Sequence, residues 1–304
     1  MPKKYDLVIV GGGPAGLMAA RVAGENGLST ALLERKTDIT RVRRVDGGGL
    51  VPLNEYMCGE TFTFNPEAKR IGFPVSGFSI RYDGPHQDMY GFRMYTPSGT
   101  FFSFGDHHQL SKDPVKNRVG IAIDKELMLQ GLLEDVEAAG VNIFPGTNVT
   151  GIEKKENSVT VTGNGKSFEG TFVIAADGIN SRIARLTGMN KERKYIGTLV
   201  DRVWHLAGIE IPDVAGISFI FNMYGFFFVT TVCHKNHYHL GASTYHPGDD
   251  LEANLNRIMY ETRFFLPGLK GQKKQERLPV WSTCCLPWKS PLRITYSSPG
   301  TQPG

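Results

Sequence analysis

The first 35 residues contain two short apolar runs, separated by a glycine-rich turn and a helical stretch. The run Leu7–Val10 is continuous rather than alternating, which is typical of a parallel strand buried on both faces. An alanine-rich segment follows the glycines, and Ala31–Leu33 forms the second run. This pattern predicts a strand–helix–strand unit over residues 5–35.

Further along the chain, apolar positions predict one clear helix and a group of short strands. Within Lys125–Ala139 they recur at helical spacing, and Gly140 is a natural residue to end that helix. Asn164 and Gly165 form a dipeptide that is typical of a two-residue hairpin turn. The strands expected around that turn cover Thr147–Lys154, Ser158–Thr162 and Ser167–Ile174.

Two other segments are rich in aromatic residues in short alternating runs, which predicts antiparallel strands. They cover residues 71–110 and 195–245, and residues 251–264 predict one more helix. The order of the segments predicts an α/β protein with a discontinuous nucleotide-binding domain (residues 1–70 and 115–190). An interleaved β-rich substrate domain is expected over residues 71–114 and 191–283, with a ligand cleft between the two. Residues 284–304 are polar and rich in Pro and Gly, so we expect a disordered tail.

The glycines after the first strand have the G-x-G-x-x-G spacing of a dinucleotide-binding turn. Gly11 allows the tight turn, Gly13 allows close approach of a diphosphate, and Gly16 allows the helix to pack on the strand. Glu34 ends the second apolar run, where a carboxylate can accept hydrogen bonds from ribose hydroxyls. These residues do not distinguish NAD from FAD. Glu34 disfavours a 2′-phosphate, although the adjacent Arg35 leaves NADP open.

Composition restricts the function only broadly. The formal net charge of +4 is small for 304 residues, and no basic block is interleaved with aromatic residues, so nucleic-acid binding is not expected. The apolar runs are shorter than a membrane span, and the chain opens on the glycine-rich strand without a signal peptide. The cysteines show no disulfide framework. We therefore expect a cytoplasmic protein without a transmembrane segment.

A second motif lies in residues 171–185, where an apolar strand ends in Asp177 and Gly178 and a helix carries Ser181 and Arg185. Together with the glycine motif, it resembles the flavoprotein family of para-hydroxybenzoate hydroxylase-type monooxygenases and geranylgeranyl reductases. The resemblance implies FAD as cofactor and a glutathione reductase-like, Rossmann-type FAD-binding domain. Without that resemblance, Asp177-Gly178 also fits a plain turn.

Within that family, details resemble the reductase branch. Tyr224–Val229, followed by Gly241–Ser243, is similar to the substrate-strand signature of geranylgeranyl reductases, with phenylalanine and valine at the expected tryptophan and proline positions. The resemblance implies reduction of C=C bonds in an apolar, isoprenoid-like substrate. An FAD- and NAD(P)H-dependent aromatic hydroxylase is the alternative. NAD(P)H or an electron-donor protein such as ferredoxin, and peripheral contact with a membrane, are further expectations.

The residues assigned to FAD belong to the two motifs or are implied by the resemblance. They are Gly11, Gly13, Pro14, Ala15, Gly16, Glu34, Arg35, Arg44, Val149, Asp177, Gly178 and Ser181. Arg43 and Arg44 either neutralise phosphate or remain solvated loop cations. Cys58 resembles the family's cysteine near the flavin and is the one catalytic candidate, with a buried structural thiol as its alternative.

One feature departs from the family pattern. A third FAD motif, a strand ending in Gly-Asp, is absent, and Leu292–Tyr296 resembles only the segment that leads up to it. We therefore expect a chain truncated before its last FAD-binding element, and an inactive FAD-binding fragment becomes a third possibility.

Histidine and phenylalanine clusters each allow two interpretations. His234, His237, His239 and His246 lie in or near one predicted strand, but we expect solvated side chains rather than a metal site, because no ligand spacing is recognised. The phenylalanines of the β segments either line a substrate tunnel or fill a sheet core. They are Phe101, Phe102, Phe104, Phe219, Phe221 and Phe226–Phe228.

Overall fold

The computed structural model describes residues 4–42, 48–96, 98–194, 199–207, 216–222, 225–246, 248–260 and 281–284. Helices in this part of the chain are α1 (Pro14–Glu25), α2 (His107–Leu110), α3 (Pro114–Asn117), α4 (Lys125–Ala138), α5 (Arg182–Leu186) and α6 (Leu251–Tyr260). Among these described helices, none has the length and apolar content needed to cross a bilayer.

Strands of the first half of the chain are β1 (Lys4–Val10), β2 (Thr30–Leu33), β3 (Gly49–Leu50), β4 (Tyr56–Met57), β5 (Glu60–Thr61), β6 (Thr63–Asn65), β7 (Arg70–Phe73), β8 (Phe78–Arg81), β9 (His86–Met89), β10 (Gly91–Tyr95) and β11 (Phe101–Phe104). Those of the second half are β12 (Gly120–Ile123), β13 (Asn142–Phe144), β14 (Val149–Lys154), β15 (Val159–Gly163), β16 (Lys166–Ala175), β17 (Leu199–Ala207), β18 (Gly216–Asn222), β19 (Gly225–Thr231), β20 (His237–Thr244) and β21 (Trp281–Cys284).

The nucleotide sheet is the six-stranded sheet with the order β13-β2-β1-β16-β15-β14. Its strands β13, β2, β1 and β16 run parallel, and Val10 at the end of β1 lies between Leu33 of β2 and Ala175 of β16. The carboxyl ends of these strands therefore meet at one edge. In open α/β sheets, this edge is where ligands bind.

Helices α1 and α4 cover one face of the nucleotide sheet. Leu17 and Ala20 of α1 and Leu132 of α4 are fully buried in one core with Ile9. Ile80 of β8 joins that core, so part of the predicted β-rich segment packs on the nucleotide fold. The predicted domain boundaries remain a prediction.

The large sheet is the seven-stranded sheet with the order β11-β10-β18-β19-β20-β17-β21. It is antiparallel except for the β10–β18 pair. Helix α6 packs against it, where Leu255 and Ile258 join Phe227 and Leu240 in a buried core. The strands between β2 and β13 that belong to neither sheet form three small sheets, which are β3-β12-β9, β6-β7-β8 and β4-β5.

Most of the predicted elements are confirmed. The strand–helix–strand unit and the helix beginning at Lys125 are present, and Gly140 has a φ of 75° after the end of α4. Asn164 and Gly165 both have positive φ, as their hairpin turn requires. The strand expected from Thr147 begins at Val149 instead. Residues 261–264 of the predicted helix and 285–304 of the predicted tail lie outside the described residues.

Candidate cofactor site and the adjoining apolar pocket

Two of the motif glycines are required by close packing, whereas the third faces open space. Gly11 has a φ of 110°, and a Cβ there would overlap the carbonyl oxygen of Ala176. A Cβ on Gly16 would overlap the carbonyl oxygen of Gly11. A Cβ on Gly13 would meet nothing within 4 Å. The space in front of Gly13, at the start of α1, is therefore available to a ligand.

Glu34 is buried beside the glycine-rich turn, with 7% of its surface exposed. Its Oε2 accepts a hydrogen bond from the backbone N–H of Gly12 at 2.6 Å, and its Oε1 accepts one from the N–H of Lys36 at 2.8 Å. A carboxylate offers about four acceptor positions. Glu34 therefore retains capacity to accept hydrogen bonds from hydroxyl groups of a ligand.

The nucleotide pocket is a cavity of about 410 Å³ at the carboxyl edge of the nucleotide sheet. Cationic side chains border it from two segments of the chain, Arg35–Lys36 after β2 and α5 with Arg182 and Arg185. Its lining residues are Val10, Gly11, Gly13, Leu33, Glu34, Arg35, Lys36, Thr147, Asn148, Val149, Ala176, Asp177, Gly178, Asn180, Arg182 and Arg185. Positive charge next to a helix N-terminus is the arrangement that favours a diphosphate.

The Asp177 carboxylate caps a helix. Its Oδ2 accepts hydrogen bonds from the backbone N–H groups of Arg182 (2.7 Å) and Ile183 (3.2 Å), and its Oδ1 accepts one from the Ser181 hydroxyl. The Ser181 Oγ in turn accepts from the N–H of Ala184 at 2.9 Å. These bonds fix α5, so that Arg182 donates to the carbonyl oxygen of Val149 at 2.8 Å at the rim of the pocket.

The apolar pocket, of about 530 Å³, lies between the start of α1 and the large sheet. Lys125 and Thr230 carry the polar side chains among the described residues that line it, which are Pro14, Gly48, Gly49, Leu50, Val51, Ile123, Lys125, Met128, Ile217, Phe219, Phe228 and Thr230. Burial, assisted by the charge of Lys36, lowers the pKa of Lys125.

The predicted site residues divide into several groups. Gly11, Gly13, Glu34, Arg35, Val149, Asp177 and Gly178 line the nucleotide pocket, and Pro14 lines the apolar pocket. Gly16 packs beneath the turn, Ala15 is exposed, and Ser181 acts as a helix cap. Arg44 and Arg43 lie outside the described residues. Of the histidines expected to be solvated, His234 and His246 are exposed, whereas the Nδ1 of His239 is buried, so that expectation is wrong for His239.

The two free thiols differ in exposure. Cys58 is exposed at a turn with a φ of 55°, so the alternative of a buried structural thiol is wrong, and it is not among the described residues lining either pocket. Cys233 is buried in the turn between β19 and β20. Burial and the nearby Asp124 carboxylate raise the pKa of the Cys233 thiol to about 11.

The phenylalanines do not form a single tunnel. Phe219 and Phe228 line the apolar pocket, and Phe227, which points to the opposite face of β19, is fully buried in the core of the large sheet. Four others are well exposed, namely Phe101, Phe102, Phe104 and Phe221. The sheet-core interpretation is therefore confirmed for Phe227. A substrate-lining role stays a prediction for Phe219 and Phe228, and the four exposed side chains fit neither interpretation.

Sequence reasoning missed Arg182, Lys36 and Asn148 in the nucleotide pocket and Lys125 in the apolar pocket. Lys36 follows the recognised Glu34–Arg35 pair, and Arg182 follows Ser181, so their motif neighbours gave some signal. No local pattern marks Asn148 or Lys125.

FAD fits this arrangement. Its adenosine and diphosphate match the polar, cationic nucleotide pocket, and the side of the apolar pocket at Pro14 is open to its flavin ring. The two pockets adjoin at the start of α1, because Gly13 lines one and Pro14 lines the other. A dinucleotide-binding sheet with an adjoining apolar pocket is the arrangement expected of a flavin-dependent oxidoreductase.

Comparison with known proteins agrees with that class. The family model described as FAD dependent oxidoreductase matches residues 118–292, and the model described as FAD binding domain matches residues 4–48. Since the first match covers more than half of the sequence, this chain belongs to the FAD dependent oxidoreductase family.

Curated proteins with similar sequences include reductases from two organisms. Digeranylgeranylglycerophospholipid reductase of Methanocella arvoryzae is 28% identical over 200 residues, 64% of this chain and 44% of the relative. Digeranylgeranylglycerophospholipid reductase 1 of Methanococcoides burtonii is 28% identical over 226 residues, 70% of this chain and 47% of the relative. The chain thus spans about half the length of the curated relatives it matches.

Among solved structures, a geranylgeranyl bacteriochlorophyll reductase-like protein from Thermoplasma acidophilum has a TM-score of 0.71 at 20% identity, covering 94% of this chain and 67% of its own. A p-nitrophenol 4-monooxygenase from Pseudomonas putida has a TM-score of 0.63 at 16% identity, covering 94% and 70%. At these identities the similarity establishes the fold.

Proposed function

We propose that this chain uses FAD to reduce C=C bonds of an apolar, isoprenoid-like substrate. The apolar pocket beside Pro14 carries the proposal. Its walls consist mainly of aliphatic and aromatic side chains from α1 and α4, from the small sheet with β3 and β12, and from the large sheet. The names of the curated relatives, which are reductases of a prenylated phospholipid, support the same substrate class.

When bound and reduced, FAD would supply the hydride for one carbon of the C=C bond, with a proton from the protein or solvent completing saturation at the other. The residues of this chain would bind and orient the reactants. The turn Gly11–Gly16 and the cations of the nucleotide pocket hold the diphosphate, while Glu34 accepts hydrogen bonds from ribose. Phe219 and Phe228 of the large sheet form an apolar wall that excludes water and holds a hydrocarbon chain. Lys125 brings a positive charge to the lining of the same pocket.

An anaerobic single-turnover assay tests this proposal. FAD-loaded protein, reduced chemically and mixed with geranylgeraniol, should regain the 450 nm absorbance of oxidised flavin and yield a more saturated alcohol by mass spectrometry. The fully saturated alcohol of equal length is the matched control and should leave the flavin reduced. If no alkene in a panel of prenyl compounds reoxidises the flavin, the proposal fails. A protein that still binds FAD, and that also hydroxylates no aromatic substrate, would then be the inactive fragment.

The hydroxylase alternative has a different signature. It requires NAD(P)H and oxygen, and an aromatic substrate should drive consumption of both with formation of a hydroxylated product. That result, together with inert prenyl compounds, would replace the proposal. The electron donor, whether NAD(P)H or a ferredoxin-like protein, remains a prediction.

A further inference from the structure

Three side chains with different metal-ligand atoms come together beside the apolar pocket. Asp124 lies between β12 and α4, and Cys233 and His234 lie in the turn between β19 and β20. Their ligand atoms all lie within 4.8 Å of one another. We propose that Asp124, Cys233 and His234 bind one divalent ion of the zinc type, with water as the fourth ligand.

The donor set selects the class of metal. A thiolate, an imidazole and a carboxylate suit zinc, whereas calcium and magnesium prefer oxygen ligands only. Around tetrahedral zinc, with bonds of about 2.0–2.3 Å, neighbouring donor atoms lie roughly 3.3–3.8 Å apart. Because the three ligand atoms already lie within 4.8 Å of one another, they need only a small movement toward each other to bind one ion. His234 is exposed on a turn, so its ring has room to make that movement.

Hydrogen bonds already position both of the ligand-bearing segments. Oδ1 of Asp124 accepts from the N–H groups of Glu126 (2.8 Å) and Leu127 (3.2 Å), which orients the carboxylate. The Gln87 side-chain amide donates to the carbonyl oxygens of Val232 (2.6 Å) and His234, on either side of Cys233. Ligating groups in metal sites are commonly held by such outer hydrogen bonds.

Charge balances when the ion binds. The Cys233 thiol releases its proton to solvent as the sulfur–metal bond forms, so the carboxylate and the thiolate together neutralise the doubly charged ion. His234 binds as the neutral ring. Because Cys233 is buried, this neutral site avoids leaving a net charge in a position with little water.

The location suggests a consequence for the pocket. Asp124 lies between Ile123 and Lys125, which both line the apolar pocket, and Thr230 of the same pocket precedes the turn that carries Cys233. A bound ion would connect the start of α4 to the end of β19. It would therefore hold the two walls of the apolar pocket together.

A neighbouring histidine cluster is the competing metal site. Nε2 of His205 and Nδ1 of His237 are 2.9 Å apart, and the ring of His239 lies 5.4 Å from that of His205. The ring of His234 is 5.6 Å from that of His237, so the two groups are adjacent. The experiment must therefore distinguish zinc bound by Asp124 and Cys233 from zinc bound by the histidine cluster, because His234 is adjacent to both.

Zinc retention by the FAD-loaded full chain tests the site. After incubation with zinc chloride and desalting, elemental analysis should give one zinc per chain, and zinc should raise the melting temperature. Cys233→Ala and His234→Asn should each weaken zinc binding about 100-fold and abolish the thermal shift. Asp124→Asn should weaken it as well while keeping the helix cap, because asparagine is also a good N-cap residue. Cys58→Ala, which removes the exposed thiol, is the matched control and should behave as the wild type.

Three results would overturn the proposal. The first is a wild-type chain that retains no more zinc than Cys233→Ala. The second is loss of zinc from Cys58→Ala. The third is loss of zinc from His237→Gln together with retention in Cys233→Ala, which would assign the ion to the histidine cluster. FAD affinity, measured in parallel for every variant, shows that each one is folded.

Discussion

The backbone N–H of Gly12 donates a 2.6 Å hydrogen bond to the Oε2 of Glu34, which lies 22 residues later in the chain. This bond joins the glycine-rich turn to the end of the neighbouring strand. The carboxylate thus orders the turn that would hold a diphosphate, and it retains acceptor positions for the ribose hydroxyls of a bound nucleotide.

Glu34→Gln should weaken FAD binding about 10- to 100-fold, because the amide loses charge-assisted hydrogen bonds worth roughly 1.5–3 kcal/mol. Quenching of flavin fluorescence on binding measures the affinity. Glu25→Gln, on the exposed surface of α1, is the matched control and should bind FAD as the wild type does. An unchanged affinity in Glu34→Gln would contradict the assigned role.

Gly13→Ala should affect FAD binding, whereas Gly16→Ala should affect the stability of the protein. An alanine at 13 meets open space in the protein, so the free energy of unfolding without FAD should change little while FAD affinity falls. An alanine at 16 would overlap the carbonyl oxygen of Gly11, so it should destabilise the protein by about 1–3 kcal/mol even without FAD. Urea unfolding and FAD titration of both variants separate these effects. Equal stability loss in both variants would argue against a ligand-filled space at Gly13.

Gly241→Ala should weaken binding of an apolar ligand about tenfold while leaving FAD affinity unchanged. A Cβ at this position would overlap the ring of Phe228, which lines the apolar pocket, so the ring must move. Displacement of a fluorescent apolar probe from the FAD-loaded protein measures the effect. Gly248→Ala, where a Cβ meets nothing within 4 Å, is the control. Unchanged probe affinity in Gly241→Ala would show that this wall does not contact the ligand.

His239 should make the protein less stable as the pH falls from about 6.5 to about 4. Burial, with a smaller effect of His205, lowers the pKa of His239 to about 4, so in this range the unfolded chain binds a proton that the native chain does not. The loss should reach about 3 kcal/mol at pH 4 and grow no further below it. Urea unfolding at several pH values should show a flatter slope for His239→Gln than for the wild type. The exposed His246→Gln serves as control, and equal slopes in all three proteins would refute the prediction.

The sequence was most informative where local patterns decide the structure. Apolar runs and glycines determined the first strand–helix–strand unit, and helical spacing determined α4. The apolar pocket was not predictable in the same way, because Lys125 and Phe228 line one cavity only through the packing of the large sheet on the rest of the chain. The same holds for Asp124 and Cys233, whose proximity depends on strand order. Asp177 shows a further limit, because its motif does not reveal that its carboxylate also caps α5.

The peptide bond between Gly13 and Pro14 separates the polar cavity from the apolar cavity. Most residues that line the polar cavity come from the turns after the parallel strands, whereas most of the wall of the apolar cavity comes from other parts of the chain. We therefore expect substitutions in the wall of the apolar cavity to change which small molecule binds there while the affinity for the nucleotide stays the same. One scaffold can in this way acquire new specificities while its redox group stays in place.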